Sequence, residues 1–303
     1  MKILIADSGS TKTSWALIER ESLPTGTDAF STETKALPTE TGTLPAKRHQ
    51  TIGLNPLYAS APQIIEACKE VLTAFDIDSP DELYFYGAGC SGERVDFVEN
   101  ALRIVLPTTK INVESDVLGA CRALGTEICC IMGTGSIAAL YDATTGEVGT
   151  VCSLGYILGD EGSGAYFGKI LLSDYLKEQM PENLRDLFEE DYGKLSAEQA
   201  ILKVYQGQFP NRYLATFASF IGRHLDQDYC KEIALNGIEA FFKRNIMRLQ
   251  PEASDTISFV GSVAFHLQDL IRQVASSYNL RTGYFIKNPI DGLIEFHKLC
   301  VQY

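Results

Sequence analysis

The chain has 303 residues, 45% of them hydrophobic, enough to fill one large core or two ordinary ones, and the length favours about two domains. Its formal net charge of −13 argues against a nucleic-acid partner, which needs clustered Lys and Arg. No apolar run approaches the ~20 residues of a membrane span, and the N-terminus lacks the basic and apolar regions of a secretion signal, so the expectation is a cytoplasmic protein with no membrane partner.

Residues 2 to 7 read as a strand and Ser14 to Glu19 as its hairpin partner, joined by the glycine- and hydroxyl-rich turn Asp7-Ser8-Gly9-Ser10-Thr11-Lys12-Thr13. From Ser22 to about Gln50 runs a Thr, Pro, Gly and Ala tract, read as an extended loop insertion at 22–50. The pattern then alternates: a helix near Ala61 to Phe75, a strand at Leu83 to Tyr86, a helix near Glu93 to Leu106 and a strand at Ile111 to Glu114. The helical run Val117 to Leu124 follows. A second strand-turn-strand device comes next, with Ile128 to Met132, the turn Gly133-Thr134-Gly135-Ser136, and Ile137 to Tyr141. Helical periodicity fills Glu161 to about Leu249. A strand at Ile257 to Val260 leads into Gly261-Ser262 and a helix, and a last strand (Tyr284 to Ile286) and helix (Asp291 to Gln302) end the chain. The recurrence of the opening device predicts an α/β protein containing one fold twice, divided near residue 111, with a domain over 1–111 and another over 112–303, the terminal helix packing back on the first.

The eight cysteines contain no C-x-x-C pair and the four histidines are scattered, so buried free thiols are expected and a zinc site is not. The two hairpin turns carry more. Asp7-x-Gly9-x-Thr11-x-Thr13 and Gly133 to Ser136 offer close backbone approach, N–H groups and hydroxyl donors, which is what a polyphosphate such as ATP requires. Each taken alone also fits an ordinary turn. Asp7 at the end of the first strand would repel phosphate unless a cation intervened, which implies Mg²⁺, and Lys12 could add a point charge. Ser115-Asp116 before a helix fits an N-cap, and Asp160-Glu161 at a helix start fits a dipole partner. Gly87-Ala88-Gly89-Cys90-Ser91-Gly92 is a literal G-x-G-x-x-G, but it lies mid-domain and leaves the other glycine turns unexplained; no Walker A string occurs.

Five strings in order, DSGSTKT, ESDVLGACRAL, MGTGS, SLGYILGDEGSGAYFGK and FVGSVAFH, resemble the motifs of the BadF/BadG/BcrA/BcrD-type group, which includes N-acetylglucosamine kinase and belongs to the actin, Hsp70 and sugar kinase superfamily. The resemblance spans nearly the whole chain. It implies two RNase H-like domains with ATP and substrate in the cleft between them. It makes Asp7, Gly9, Ser10, Thr11, Lys12, Thr13, Gly133, Thr134, Gly135 and Ser136 phosphate-binding, Gly261 and Ser262 the adenosine-side turn, and Asp116 the general base. Asn55, Gly155 and Asp160 would contact the sugar. Where the N-acetylglucosamine kinases carry a Trp-Gly pair, this sequence reads Leu154-Gly155, which keeps glucosamine and N-acetylmuramic acid open beside N-acetylglucosamine as the acceptor. An ATPase activator carrying an iron–sulfur cluster and a non-catalytic sugar sensor are the competing classes, and a homodimer stays open.

Overall fold

In a computed structural model of the chain, residues 1–20 and 46–299 are described. They form two units by internal contacts, one of residues 1–20, 46–123 and 289–299, the other Leu124–Asn288. The first unit is built on a five-stranded sheet of β1 (Lys2–Ser8), β2 (Lys12–Glu19), β3 (Lys47–Ile52), β4 (Glu82–Gly87) and β5 (Lys110–Ser115), in the order β3-β2-β1-β4-β5. The first three strands are antiparallel and the last two run parallel to β1.

Alternation along the strands gives this sheet two buried faces. On one, Leu4, Ala6, Trp15, Leu17, Leu83 and Phe85 pack against helices α1 (Ala61–Phe75) and α2 (Glu93–Val105). Trp15 is wholly buried, and its indole N–H donates to Thr51 Oγ1 at 2.9 Å, so its one polar atom is satisfied. The other face, with Tyr84 and Tyr86, lies under helix α3 (Asp116–Leu124) and the terminal helix Ile290–Leu299. A division at 111 would cut β5 from the strand it pairs with: Leu83 and Ile111 are register partners, and internal contacts carry the first unit through to Ala123.

The expected loop at 22–50 falls for the most part outside the described residues. Its end does not fit a loop, since Lys47 to Gln50 belong to β3 and pair with β2, Ser14 opposite Gln50. That edge strand carries Lys, Arg, His and Gln, so no apolar alternation announces it; its backbone ladder and its exposed, charged side chains suit a sheet edge.

The second unit repeats the topology. Its sheet comprises β6 (Ile128–Met132), β7 (Ser136–Tyr141), β8 (Val148–Thr150), β9 (Thr256–Val260) and β10 (Arg281–Ile286), ordered β10-β9-β6-β7-β8. Again the first three strands are antiparallel and the last two parallel, so β6, β7 and β9 hold the places of β1, β2 and β4. Helices fill most of the interval between β8 and β9, and their core is strongly aromatic, with Phe188 packed against Tyr175, Phe217 and Phe220 at centroid separations of 5.1, 5.5 and 5.3 Å.

In helix Gly164–Leu176 the two glycines four apart share one face, and helix Pro210–Ala215 lies directly on it. A Cβ at Gly168 would stand 1.7 Å from the Leu214 carbonyl oxygen, which is backbone and has nowhere to swing. Gly168→Ala is therefore expected to destabilise this unit by about 3 kcal/mol, the upper range for overpacked cores. Chemical denaturation should register the loss as a lower midpoint, and an unchanged midpoint would show that the two helices separate without cost.

Candidate active site

In the first unit, three loops meet around the end of β1. The turn after it is closed by the Gly9 N–H donating to Lys12 O at 3.0 Å and by the hydroxyls of Ser8 and Thr13, 2.9 Å apart. Thr13 is wholly buried and also donates to Ile52 O at 2.8 Å, so its hydroxyl shapes the turn from within. Thr11 and Lys12 are exposed and Gly9 and Ser10 half-buried, which makes these four the outward part of the turn. The segment after β3 seals its base: Gly53 N–H donates to Thr11 O, Leu54 N–H to Ser8 Oγ, and a Cβ on Gly53 would strike the Gly9 carbonyl.

Asn55 is buried here with both ends of its amide engaged. Its oxygen accepts from Leu57 N–H at 2.9 Å, and its nitrogen donates to Ser10 Oγ at 3.4 Å. The third loop is the Gly87–Gly92 segment. Ala88 N–H donates to Ser8 O, and Gly89, at φ 78°, lies so close to Asn55 that a Cβ would sit 2.5 Å from the amide oxygen. The glycine string is thus a wall of the β1 corner. The sheet order, with an antiparallel hairpin at its centre, is not that of a dinucleotide-binding fold.

Asp116 opens α3, and the capping role belongs to its neighbour: Ser115 Oγ accepts from Leu118 N–H at 3.2 Å. Burial pushes the Asp116 carboxyl up to about 6, against the pull of the backbone N–H groups of Val117 and Asp116 itself. Asp7 is pushed up further, to about 7, by burial first and then by the Asp116 carboxylate, with Lys12 pulling back. Two carboxyl groups, one of which raises the other's cost of ionisation, at the edge of a hydroxyl-rich turn, are a place suited to positive charge or to proton transfer.

In the second unit the Gly133 to Ser136 turn is bound to the segment before helix Gly164–Leu176. Gly164 N–H donates to Gly133 O at 2.8 Å and Ala165 N–H to Thr134 O at 3.0 Å. Ser136 supplies both of its donors, the hydroxyl to Glu161 O at 2.7 Å and the backbone N–H to Asp160 Oδ1 at 3.4 Å. Asp160, in the left-handed region at φ 55°, leans its carboxylate over Gly135, where a Cβ would come within 3.0 Å of Oδ2. Burial raises its pKa despite the Ser136 N–H. Glu161 anchors the segment from below through Arg244 Nε at 2.9 Å and Asn245 Nδ2 at 3.3 Å. Gly261 completes the corner: at φ 121°, its Cα lies against the Met132 carbonyl, 2.3 Å from where a Cβ would be, and exposed Ser262 begins the next helix. Gly155, at φ 68°, is exposed at the start of the short helix Gly155–Leu158 and touches Gly159 through its carbonyl.

A structure from Porphyromonas gingivalis, provisionally named an N-acetylglucosamine kinase, matches this chain over 98% of both chains, with 38% sequence identity and a TM-score of 0.81. The chain belongs to the N-acetylglucosamine kinase-like family. That family lies within the actin, Hsp70 and sugar kinase superfamily, and the doubled five-stranded topology is the fold of that superfamily. A Chromobacterium violaceum structure, also provisionally named an N-acetylglucosamine kinase, shares the fold at 15% identity over 97% of this chain and 98% of its own, with a TM-score of 0.66. The ethanolamine utilization protein EutJ from Carboxydothermus hydrogenoformans shares it at 10% identity over 99% and 90%, with a TM-score of 0.50. No protein-family model matches the chain, and no curated protein does.

As a member of this kinase-like family the chain has two features its motif strings do not reveal. One is the Gly87–Gly92 loop against Asn55, a string whose literal G-x-G-x-x-G form points only to a dinucleotide site that the sequence context already disfavours. The other is the Glu161 anchor, hidden behind the ordinary preference of acidic residues for helix starts. Among the described residues no group of three or more His, Cys, Asp or Glu gathers to hold a metal, and no helix is long and apolar enough to cross a membrane. Cys129 and Cys130 are buried in β6, and Cys152 is exposed.

Proposed function

We propose that the chain transfers the γ-phosphoryl group of ATP to an amino sugar, with N-acetylglucosamine the first choice of acceptor and its primary hydroxyl the nucleophile. The observation that carries this reading is the pair of half-buried carboxyl groups at the β1 corner, Asp116 raised to about 6 and Asp7 to about 7. The relationship to a 38%-identical protein provisionally named an N-acetylglucosamine kinase supports it.

A sugar hydroxyl is a poor nucleophile, and a carboxylate ionising near 6 is a competent proton acceptor at neutral pH. Asp116 takes the hydroxyl proton as the sugar oxygen bonds to the γ-phosphorus and the bond to the ADP oxygen breaks. The outward groups of the two turns, Ser10 to Lys12 in the first and Thr134 with Gly135 in the second, hold the phosphates, while Gly9, Gly133 and Ser136, whose N–H groups are spent inside the fold, give the turns their shape, with Gly261 and Ser262 toward the adenosine. Asp160, Gly155 and the remaining amide hydrogen of Asn55 take sugar hydroxyls. The donor chemistry at Asp7 fits Mg²⁺, since a carboxylate with Asp116 near it and, among the described residues, no group of three or more His, Cys, Asp or Glu suits an ion that keeps its waters and binds nucleotide oxygens. When bound, the ion offsets the charge on the transferring phosphoryl group.

ADP release from Mg-ATP, measured against N-acetylglucosamine, glucosamine, N-acetylmuramic acid and glucose, tests the reading. Turnover that requires one of the amino sugars is the expected result. Turnover without sugar, from protein that retains iron, would transfer the assignment to the ATPase activator, and sugar binding with no turnover would transfer it to a sensor.

A further inference from the structure

The sheet face that ends in Asp7 carries a buried polar cluster with no part in phosphate or sugar binding. Tyr86 on β4 is the register partner of Asp7 and is wholly buried. Its hydroxyl has two partners: Arg122 Nη1 donates to it at 2.8 Å, and His297 Nε2 lies 2.8 Å on the other side. A guanidinium can only donate, so the tyrosine oxygen accepts from Arg122, and the tautomer of His297 with Nε2 unprotonated gives the tyrosine hydrogen an acceptor. That direction requires a neutral His297, and burial, with Arg122 and Arg20 nearby, holds its pKa down at about 3.

The three residues come from β4, from the last turn of α3 and from the terminal helix. Close packing runs alongside the hydrogen bonds. Gly119 of α3 sits on the Tyr86 ring, where a Cβ would be 2.9 Å from the side chain, and Gly292 of the terminal helix sits on Ala123, where a Cβ would be 2.4 Å from the carbonyl oxygen. The His297 ring also stacks on Tyr84 at 4.0 Å, and Arg122 lies 5.2 Å from the Phe296 ring centre. Helix α3 is only nine residues long, so whatever fixes its last turn also fixes its first residue, Asp116.

We propose that Tyr86, Arg122 and His297 are positioning residues for Asp116, a hydrogen-bonded relay by which the terminal helix sets the rotation and height of α3 and hence the place of the catalytic carboxylate. The inference rests on the reading of Asp116 as the general base. A relay of this geometry has a separate use for each member: Arg122 belongs to the helix being placed, Tyr86 to the sheet that serves as reference, and His297 fixes the tyrosine hydroxyl's direction.

The test compares Tyr86→Phe, His297→Leu and His297→Gln in the full chain. Both of the first two should lower kcat about tenfold or more while KM for ATP and sugar stay within about twofold, as expected when a reacting group is displaced and the binding loops are not. His297→Gln keeps an acceptor toward Tyr86 and should recover most of the loss. A merely structural cluster would lower the melting temperature and leave kcat per folded molecule at the wild-type value, and that result overturns the proposal. Amide exchange provides a readout independent of turnover: in Tyr86→Phe the amides of 118–124 should exchange faster while those of β1 and β4 keep their protection. If the wild-type protein shows no sugar-dependent turnover, the base assignment fails on its own account, and unchanged exchange across α3 would then overturn the relay separately.

Discussion

Replacing Asp116 by Asn should lower kcat for phosphoryl transfer by about 10²- to 10⁴-fold, the range associated with losing a general base, and leave KM for ATP near its wild-type value. Asn has nearly the same shape and still accepts from the N–H groups at the start of α3, so the helix should fold as before. The wild-type pH profile checks the same assignment from another side. Asp116 is proposed to act when ionised, and its pKa is raised to about 6, so at saturating Mg-ATP and sugar, where the bound ion keeps Asp7 ionised, kcat should fall as pH drops below about 6 and level off above it. Asn at 116 has no proton to exchange, so the residual activity of the variant should lack that limb. A limb that persists unchanged in the variant would assign it to another group.

Elements announced by apolar periodicity are where sequence and structure agree most closely. Helix α1 spans Ala61–Phe75 and β6 spans Ile128–Met132, as their spacing of buried residues predicts. Elements held chiefly by backbone pairing are silent in the sequence. Strand β3 is the plainest instance, its Lys-Arg-His-Gln run being compatible with a loop until β2 is there to pair with it, and β8, Val-Gly-Thr, is too short to show any period. At the candidate site the strings DSGSTKT and MGTGS are visible as turns, because Gly, Ser and Thr have local reasons to be there. Which hydroxyls face outward is a tertiary fact. Thr13 lies in the same string as Thr11, yet one is spent on Ile52 O and the other is exposed. The environment of Asn55 depends on Gly89, and the relay joins Tyr86 to a histidine 211 positions away. No local pattern can encode such pairs, since each residue taken alone is an ordinary core tyrosine, helix arginine or helix histidine.

Asp7→Asn should separate catalysis from stability in opposite directions. Activity with Mg-ATP is expected to drop by about 10²-fold or more, because the one carboxylate suited to the ion is gone and the charge it helps offset reappears at the phosphates. Stability of the nucleotide-free protein is expected to rise. The Asp7 carboxyl is raised to about 7 in the folded chain, by burial and by Asp116, so the native state holds this proton more tightly than the unfolded chain does. As pH climbs from about 4 to about 7 the folded protein must ionise a group that its surroundings keep neutral, and this contribution to stability is progressively lost, fully so above about 7. Asn does not titrate. The melting temperature of Asp7→Asn, measured without Mg²⁺, should therefore exceed that of the wild type by a few degrees at pH 8, and the difference should shrink toward pH 5. Adding Mg-ATP should reverse the order, since only the wild type retains the carboxylate to which the ion binds and gains the full stabilisation of a bound ligand. A variant less stable than the wild type at pH 8 would mean that Asp7 contributes to the turn through hydrogen bonds that outweigh its charge. A rise at pH 8 that Mg-ATP reverses would mean that the wild-type chain keeps a destabilising carboxylate at the end of its first strand, with the proposed cation as the reason for it.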